Sequence, residues 1–265
     1  MNVIVNILRF SSLAASAAVF GILLLLAFIF SVSMEDDAYL GFYRYDYLLF
    51  FALSIQFAML YLKLESWAEA KVIALFHVMA MVMEIVLTNP LVGSWYYPQP
   101  SIFKIITVPL FAGFMYSAVG SFFSRGIRLF QVKFDALPSF AAMLSLAVLS
   151  YLNFMTKFVI YDFRYVLFIW SFLLFYKTRV YFNLGSYQVK SPMLLVLLIL
   201  AVIIWIAENV STFYQIWLYP TQIEAWHMVG LAKIGSWYLL LLLSLVLVLK
   251  ILGERDCEGH WHIKH

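Results

Sequence analysis

The sequence predicts an all-α protein, a polytopic bundle of transmembrane helices with both termini in the cytoplasm. Three observations support this: the composition, eight long apolar segments, and the lysines and arginines between those segments. Of the 265 residues, 65% are hydrophobic and only 12% are charged. A soluble domain is about half apolar and about a quarter charged. A single core could not bury so much apolar surface, so we expect lipid to solvate it.

Eight segments are apolar enough to predict transmembrane helices. A spanning helix needs about 20 mostly apolar residues, and the second, fifth and sixth segments are short by this standard. The first segment is predicted to act as an uncleaved signal. The predicted spans are residues 12–32, 47–62, 72–92, 105–123, 139–155, 161–176, 191–209 and 227–250.

Lysine and arginine are distributed unevenly about these spans, which predicts their orientation. Cytoplasmic loops are enriched in both residues. An inside N-terminus places most of them in the cytoplasm and leaves Arg44, Lys104, Lys157 and Arg164 outside. Seven spans would disturb this asymmetry. The net charge of +3 is small, so we read the basic residues as a signal of topology and expect no nucleic-acid partner.

Aromatic residues and cysteine add two further expectations. Aromatic residues make up 19% of the chain, and tyrosine and tryptophan favour the boundary between bilayer and water. The single cysteine, Cys257, excludes an internal disulfide.

Two stretches of the sequence are alike and predict an internal duplication. Each has a glutamate, then a Trp-x-Tyr-Pro motif, then a lysine, and each half also pairs an acid with an arginine at its second span. The matching elements lie four spans apart and therefore share an orientation. We predict two parallel four-helix repeats, residues 12–123 and 139–250, in a single transmembrane domain covering residues 1–265. The first stretch contains Glu84, Trp95-Tyr96-Tyr97-Pro98 and Lys104, and the second contains Glu208, Trp217-Leu218-Tyr219-Pro220 and Lys233.

Charged residues in these stretches predict a polar pocket in the outer half of the membrane. A charge at the bilayer centre costs about 3 kcal/mol, so such residues usually face the interior of a bundle. Glu84 is predicted twelve residues into its span and Lys233 six residues into its own. A proline fixes its own φ and disfavours helix in the residue before it, so the two Trp-x-Tyr-Pro loops are predicted to be firm lids.

The candidate site residues divide into two groups. The candidate acids and bases are Glu84, Glu208 and Asp162. The residues predicted to bind a substrate are Asp46, Trp95, Tyr97, Lys104, Arg164, Asn209, Trp217, Tyr219 and Lys233. The alternative is a set of buried ion pairs that fixes helix register without chemistry, namely Glu84 with Lys104 or Lys233, and Glu208 with Lys233.

No metal or other cofactor is predicted. No predicted span contains a His-x-x-x-His or Glu-x-x-His arrangement, and no glycine-rich phosphate loop or serine triad is apparent. His77 is predicted to pack between helices. Residues 251–265, with His260, His262 and His265, are predicted to form a disordered cytoplasmic tail.

Taken together, these motifs resemble a bacterial membrane family catalogued as domain of unknown function 817. The resemblance covers most of the chain, from about Arg44 to Trp237. It implies a multi-pass protein of the bacterial plasma membrane and no established activity. The matching residues include Arg44-Tyr45-Asp46, Gln56, Glu65, Trp67, Glu69, Phe76-His77, Glu84, Gly93-Ser94-Trp95, Tyr97-Pro98, Val108-Pro109, Gly113, Tyr116, Gly120-Ser121, Arg128, Asn153-Phe154, Asp162, Arg164, Glu208-Asn209, Tyr219-Pro220, Gln222, Trp226, Lys233 and Ser236-Trp237.

The chain is also similar in outline to small membrane-embedded carotenoid and terpenoid cyclases. Those enzymes duplicate a short helical unit and place acids and aromatic residues around an apolar pocket. This fold-level likeness implies a carboxylic acid that protonates an alkene, and aromatic faces that stabilise the resulting cation.

Three classes of function remain open from the sequence. The first is an intramembrane enzyme or binder for a lipid-like or isoprenoid molecule, with a membrane lipid as the partner. The second is a small transporter, which the duplication and the intramembrane charges favour, although no pair of broken helices marks a midplane site. The third is a membrane scaffold or assembly protein. A second copy of the chain is a further candidate partner.

Overall fold

The computed structural model describes residues 3–34, 38–184, 187–256 and 261–263, and most of these residues are helical. The predicted helical class is therefore confirmed, with small antiparallel sheets added to it. Two short 3-10 helices cover Ser31–Ser33 and Pro220–Gln222. The α-helices are α1 (Val3–Ala17), α2 (Val19–Phe30), α3 (Arg44–Tyr61), α4 (Trp67–Leu87), α5 (Ala112–Leu129), α6 (Phe140–Thr156), α7 (Arg164–Phe175), α8 (Met193–Phe213) and α9 (Ala232–Leu252).

Three helices of the described chain, α4, α8 and α9, are long and apolar enough to cross a membrane alone, and a fourth crossing is added if α1 and α2 form one bent span. The helices α6 and α7 are apolar but shorter. Arg44 and Asp46 lower the hydropathy of α3, and Arg125 and Arg128 lower that of α5. Each predicted span overlaps a helix, while the number of crossings and the duplication remain predictions.

The first predicted span, residues 12–32, is bent in the structure and not one continuous straight helix. The chain turns by 70° between α1 and α2, at Ala18, although the backbone hydrogen bonds from Ala18 to Ala14 and from Ile22 to Ala18 are kept. Arg125 of α5 donates two hydrogen bonds, of 2.8 and 3.2 Å, to the carbonyl of Ser16. The Ser16 carbonyl, near the end of α1, is therefore hydrogen-bonded to a side chain of another helix.

A five-stranded antiparallel sheet lies at one end of the helices, in the order β5-β4-β3-β7-β6. Its strands connect α5 to α6, connect α7 to α8, and follow α9, so these helix ends meet on one side. A separate hairpin joins β1 (Lys104–Ile105) to β2 (Val108–Pro109). The strands of the larger sheet are β3 (Lys133–Asp135), β4 (Arg179–Asn183), β5 (Gln188–Pro192), β6 (Gly253–Arg255) and β7 (Trp261–Ile263).

The sheet corrects the prediction of a disordered tail. β7 follows the last helix and pairs with β3 through Trp261 and Phe134, while β6 and β7 pair with each other. The side chain of Ile263 is buried, so this segment contributes to the core. His262 lies 3.4 Å from Glu254, and His260 and His265 lie outside the described residues.

Helices α4 and α5 pack closely because small residues at their interface allow the two helices to approach each other. A Cβ built at Gly113 would lie 2.5 Å from the His77 ring, and one at Gly120 would lie 3.0 Å from Phe76. Ser66 caps the start of α4, since its hydroxyl accepts from the Glu69 amide and its amide donates to the Glu69 carboxylate. This capping box fixes where α4 begins. The α4–α5 pair forms one wall of the site described next.

Candidate functional site

Glu84 and Glu208 line the same cavity, at the end of the helices opposite the five-stranded sheet. We call this cavity the chamber. Lys233 is the third ionisable residue on its wall. Most of the remaining lining is aromatic: Trp95, Tyr116, Phe154, Trp217, Tyr219 and Trp237. The chamber therefore combines two carboxyl groups and one amine with a largely apolar surface.

Glu84 is almost completely buried and takes its hydrogen bonds from aromatic side chains. Trp95 Nε1 and Tyr97 Oη donate to Oε2 over 2.8 and 2.9 Å, and Tyr116 Oη donates to Oε1 over 3.0 Å. Burial, followed by the nearby Glu84 carboxylate, raises the pKa of Tyr97 well above its usual range, so this hydroxyl keeps its proton. Glu84 lies closer to the end of its helix than predicted, because α4 ends at Leu87.

Glu208 has an equivalent environment in the second half. Tyr219 Oη donates to Oε1 over 2.6 Å, and Trp237 Nε1 donates to Oε2 over 2.9 Å. Each glutamate thus receives one hydrogen bond from the tyrosine of its own Trp-x-Tyr-Pro motif and one from a ring on a neighbouring helix. The neighbouring rings, Tyr116 and Trp237, lie 6.0 Å apart.

The two Trp-x-Tyr-Pro segments pair with each other above the chamber. We call residues 95–98 and 217–220 the cap loops. Tyr96 and Leu218 hold the same position in the two motifs, and each donates its backbone N–H to the carbonyl of the other over 3.0 Å. Trp95 also contacts Tyr219, with ring centroids 6.1 Å apart. The cap loops therefore form one connected cover.

Lys233 does not form the ion pairs that the sequence offered as an alternative. Within the described chain, no hydrogen bond or salt bridge joins its Nζ to Glu84 or Glu208. The ammonium group lies over aromatic rings instead, 4.4 Å from the centroid of Tyr219 and 5.2 Å from that of Trp95. Lys233 also lies closer to the start of its helix than predicted, because it is the second residue of α9.

Five of the nine predicted substrate-binding residues do not line the chamber. Tyr97 reaches it only through its hydrogen bond to Glu84, Arg164 lies at the corner between α6 and α7, and the other three lie elsewhere. Asp46 is fully buried and accepts hydrogen bonds from Tyr43, Ser101, Ile102 and Phe103. Asn209 accepts from the Val229 amide over 2.8 Å and so holds the loop before α9. Lys104 is exposed on β1. It is therefore not placed to form the ion pair with the buried Glu84 that the sequence offered as an alternative. These side chains fix loops or face outward and do not touch the cavity.

Asp162 and Arg164 form an ion pair at the corner between α6 and α7. Arg164 Nη2 and Nε lie 2.5 and 2.6 Å from Asp162 Oδ2, and Asn153 donates to Asp162 Oδ1 over 3.1 Å. Partial burial opposes ionisation, but the hydrogen bonds from Arg164 and Asn153 keep the pKa of Asp162 below its usual range. Asp162 is therefore held as a carboxylate outside the chamber, which does not suit the predicted role of a catalytic acid.

The sequence motifs did not predict the two hydrogen-bond donors to Glu84 and Glu208 that lie within helices. Tyr116 lies in α5 and Trp237 in α9, well separated from the Trp-x-Tyr-Pro motifs. A signal for Trp237 existed, since Gly235-Ser236-Trp237 repeats Gly93-Ser94-Trp95. Phe154, which lines the chamber from α6, is among the residues that carry the family resemblance but was not chosen as a site residue.

Side chains that could bind a metal ion are not clustered in the part of the chain that the structure describes. No group of three or more His, Cys, Asp or Glu side chains lies close enough to hold a metal ion there. His77 packs against Phe114, with ring centroids 4.6 Å apart, and its Nδ1 is buried without a hydrogen-bond partner among the described residues. This arrangement fits the predicted packing role.

The chamber is suited to proton transfer in a water-poor environment. Two buried carboxyl groups face one amine, so a single bound proton would balance the local charge, and burial of an uncompensated charge is costly. Aromatic faces carry partial negative charge and stabilise cations. The arrangement can therefore hold one acid and one base on opposite halves of a cavity that favours developing positive charge.

Comparison with known proteins assigns the chain to a family without a known activity. The sequence matches the family described as protein of unknown function, DUF817, over residues 6–245. It is 38% identical over 205 residues to the uncharacterised protein YoaT of Bacillus subtilis (strain 168), and the match covers 77% of both chains. No solved structure gives a significant match. The chain therefore belongs to the DUF817 family.

Proposed function

We propose that this protein is a multi-pass protein of the bacterial plasma membrane that performs acid–base chemistry on a lipid-like or isoprenoid molecule. The observation that carries the proposal is the convergence of Glu84 and Glu208 on one aromatic chamber. Ionisable residues within membrane segments usually serve a function, because their burial is costly.

The proposal includes the topology of eight spans in two parallel repeats. The five-stranded sheet contains Lys133, Arg179, Lys190 and Arg255, which favours a cytoplasmic position for that end. The chamber then lies toward the outer face. The matched hydrogen bonds of Glu84 and Glu208, together with the reciprocal pairing of Tyr96 and Leu218, support an internal two-fold relation.

The proposed reaction is an isomerisation of an alkene by proton addition and proton loss. The Glu84 carboxylic acid gives its proton to one alkene carbon, and the π electrons form the new C–H bond. The carbocation that results is stabilised by the rings of Trp217 and Trp237 on the chamber wall, while the Lys233 ammonium group lies over Tyr219 and Trp95. Glu208 then removes a proton from a neighbouring carbon, and that C–H electron pair forms the new double bond. Atoms and charge balance without a further reactant.

A comparison of lipid and isoprenoid profiles tests this function. We expect a deletion strain to lose one or more species, and wild-type protein to restore them. Glu84→Gln removes the acidic proton but keeps the hydrogen-bonding shape, so the rate of conversion should fall by about 100-fold. Glu224→Gln makes the same change at an exposed position before α9 and should restore the profile fully.

The outcome against the enzyme proposal is equally specific. A deletion strain with an unchanged profile, or full restoration by Glu84→Gln at wild-type abundance, would reject it. If single substitutions at Glu84 and Glu208 are both tolerated and the protein purifies with a stoichiometric partner, a scaffold role is the better description.

A transporter is the second candidate, and the α4–α5 interface favours it. Polar side chains continue from the chamber toward the sheet end: His77 against Gly113, Ser117 bonded to the Ile73 carbonyl, and Ser121 bonded to Glu65. Such a line of groups could carry protons through the bundle. Proton flux in proteoliposomes that is lost in Glu208→Gln, without any altered lipid, would favour transport over catalysis.

A further inference from the structure

A second cavity lies beside the chamber at the corner between α6 and α7. We call it the side cavity. It shares Phe154, Ser236 and Leu240 with the chamber wall. Its other polar lining comes from Ser150, Asn153, Lys157 and Arg164. The side cavity therefore has two cationic groups, and its walls are continuous with the proposed reaction site.

Lys157 is the feature of the side cavity that the rest of the fold does not explain. Its Nζ makes no hydrogen bond or salt bridge to the residues that the structure describes. It lies 4.3 Å from the ring centroid of Phe154 and 5.0 Å from that of Phe158. A partly buried ammonium group with no direct anionic partner is unusual, because its desolvation is not compensated.

The charges that surround Lys157 come from every neighbouring element. Burial, then Lys233 of α9 and Arg164 of α7, lowers the pKa of Lys157 to about 7, while Asp162 and Glu208 of α8 partly oppose this shift. Two of the cations, Lys157 and Arg164, line the side cavity itself. Arg164 is already bound on one edge by Asp162, which orients its guanidinium group. The balance of charge at this corner favours an incoming anion.

The surface outside the side cavity is apolar. The loop from α6 to α7 and the first turn of α7 expose large hydrophobic side chains: Phe158, Val159, Ile160, Tyr161, Phe163 and Tyr165. An exposed apolar stretch next to a cationic cavity matches the two parts of an acidic lipid. A small water-soluble anion would gain nothing from this surface.

We infer that the side cavity binds the acidic head group of an amphiphile whose hydrocarbon chain lies along residues 158–165. Lys157 and Arg164 supply the charge. Because the side cavity adjoins the chamber, the inference rests on the proposed function and names its substrate class, an anionic amphiphile. The head group would be held beside the reaction site, because the two cavities share part of their walls.

Binding of defined lipids to the purified full-length chain tests the inference. The probe is dioleoylphosphatidylglycerol, whose phosphodiester keeps one negative charge across the useful pH range, and the readout is native mass spectrometry from detergent. We expect it to bind at least about tenfold more tightly than dioleoylphosphatidylcholine, which has the same chains and no net charge. Lys157→Gln should remove about tenfold of affinity, since it deletes one charged contact.

A pH series separates Lys157 from other basic residues. The lysine must be protonated to attract the anion, so wild-type affinity should fall as the pH rises from about 6 to about 8. Lys157→Arg keeps its charge throughout this range and should bind with little dependence on pH. Lys177→Gln is the matched control, because Lys177 also lies over a neighbouring ring, that of Tyr176, but is exposed at the opposite end of α7.

Several outcomes would overturn the inference. One is equal affinity for the two lipids, and another is an unchanged affinity in Lys157→Gln. Dimethyl phosphate that binds as tightly as the lipid through Lys157 would show a site for free anions instead. Lys157-independent binding alongside a Glu84-dependent lipid profile would reject the side cavity and leave the proposed function standing.

Discussion

Replacing Asp46 with alanine is expected to lower the free energy of unfolding by about 4 kcal/mol, which is a large effect for one residue. Asp46 has no exposed surface and accepts from the Tyr43 amide at the start of α3 over 3.0 Å. It also accepts from the amides of Ile102 and Phe103, each over 3.0 Å, and from the Ser101 hydroxyl over 2.8 Å. Alanine would remove the acceptor from four buried or partly buried donors, and each buried donor left unpaired costs about 1–3 kcal/mol.

Unfolding of detergent-solubilised protein, followed by circular dichroism, measures this effect. Asp46→Asn keeps one carbonyl oxygen and should lose less stability than Asp46→Ala. Glu224→Ala removes an exposed carboxylate and should stay within about 0.5 kcal/mol of wild type. If Asp46→Ala were as stable as the parent but failed to bind lipid, the predicted role in substrate binding would be right and our account of Asp46 would be wrong.

Replacing Gly113 with alanine is expected to cost about 3 kcal/mol, although alanine is normally the better helix former. The new Cβ would lie 2.5 Å from His77 Nδ1 and within 2.9 Å of Cγ, so the whole imidazole ring would have to move. The ring packs against Phe114, so its movement disturbs the α4–α5 contact. Thermal unfolding of the same detergent-solubilised protein measures the loss.

Two variants make the Gly113 prediction specific. Gly21→Ala places a Cβ at an ordinary contact distance of 3.7 Å from Ala118, so it should be neutral or stabilising. Combining Gly113→Ala with His77→Ala removes the clash, and the two changes should show a favourable coupling of about 2 kcal/mol. Strictly additive losses would mean that the close approach of these two residues is not the cause.

The sequence predicted most helices because apolar length is a local property, but it failed where the cause is remote. Residues 14–22 contain only one glycine and no proline, so nothing in the first predicted span indicates a bend at Ala18. The hydrogen bonds to the Ser16 carbonyl come from Arg125, which is far away in sequence. Similarly, β3 and β7 are short strands whose pairing joins Phe134 to Trp261, and no local pattern predicts that contact.

The site was predictable in part, because its repeated motifs place equivalent residues in equivalent positions. The order of glutamate, Trp-x-Tyr-Pro and lysine led to the choice of Glu84, Glu208 and Lys233, and the structure brings these three together. Pairwise contacts were less predictable. Opposite charges suggested ion pairs, whereas the carboxylates bond to rings and the ammonium lies over them. In a chain this rich in aromatic residues, charge alone does not identify the partner.

The reciprocal backbone pairing of Tyr96 with Leu218 limits how the chamber can admit a molecule. A segment that is tethered to its counterpart at the centre cannot swing away by itself, so opening from above would require both halves of the protein to separate together. Passage sideways between helices, from the hydrocarbon of the bilayer, leaves the tether intact. For the function we propose, this route favours a substrate that is already dissolved in the membrane, because the cap loops then stay closed to water.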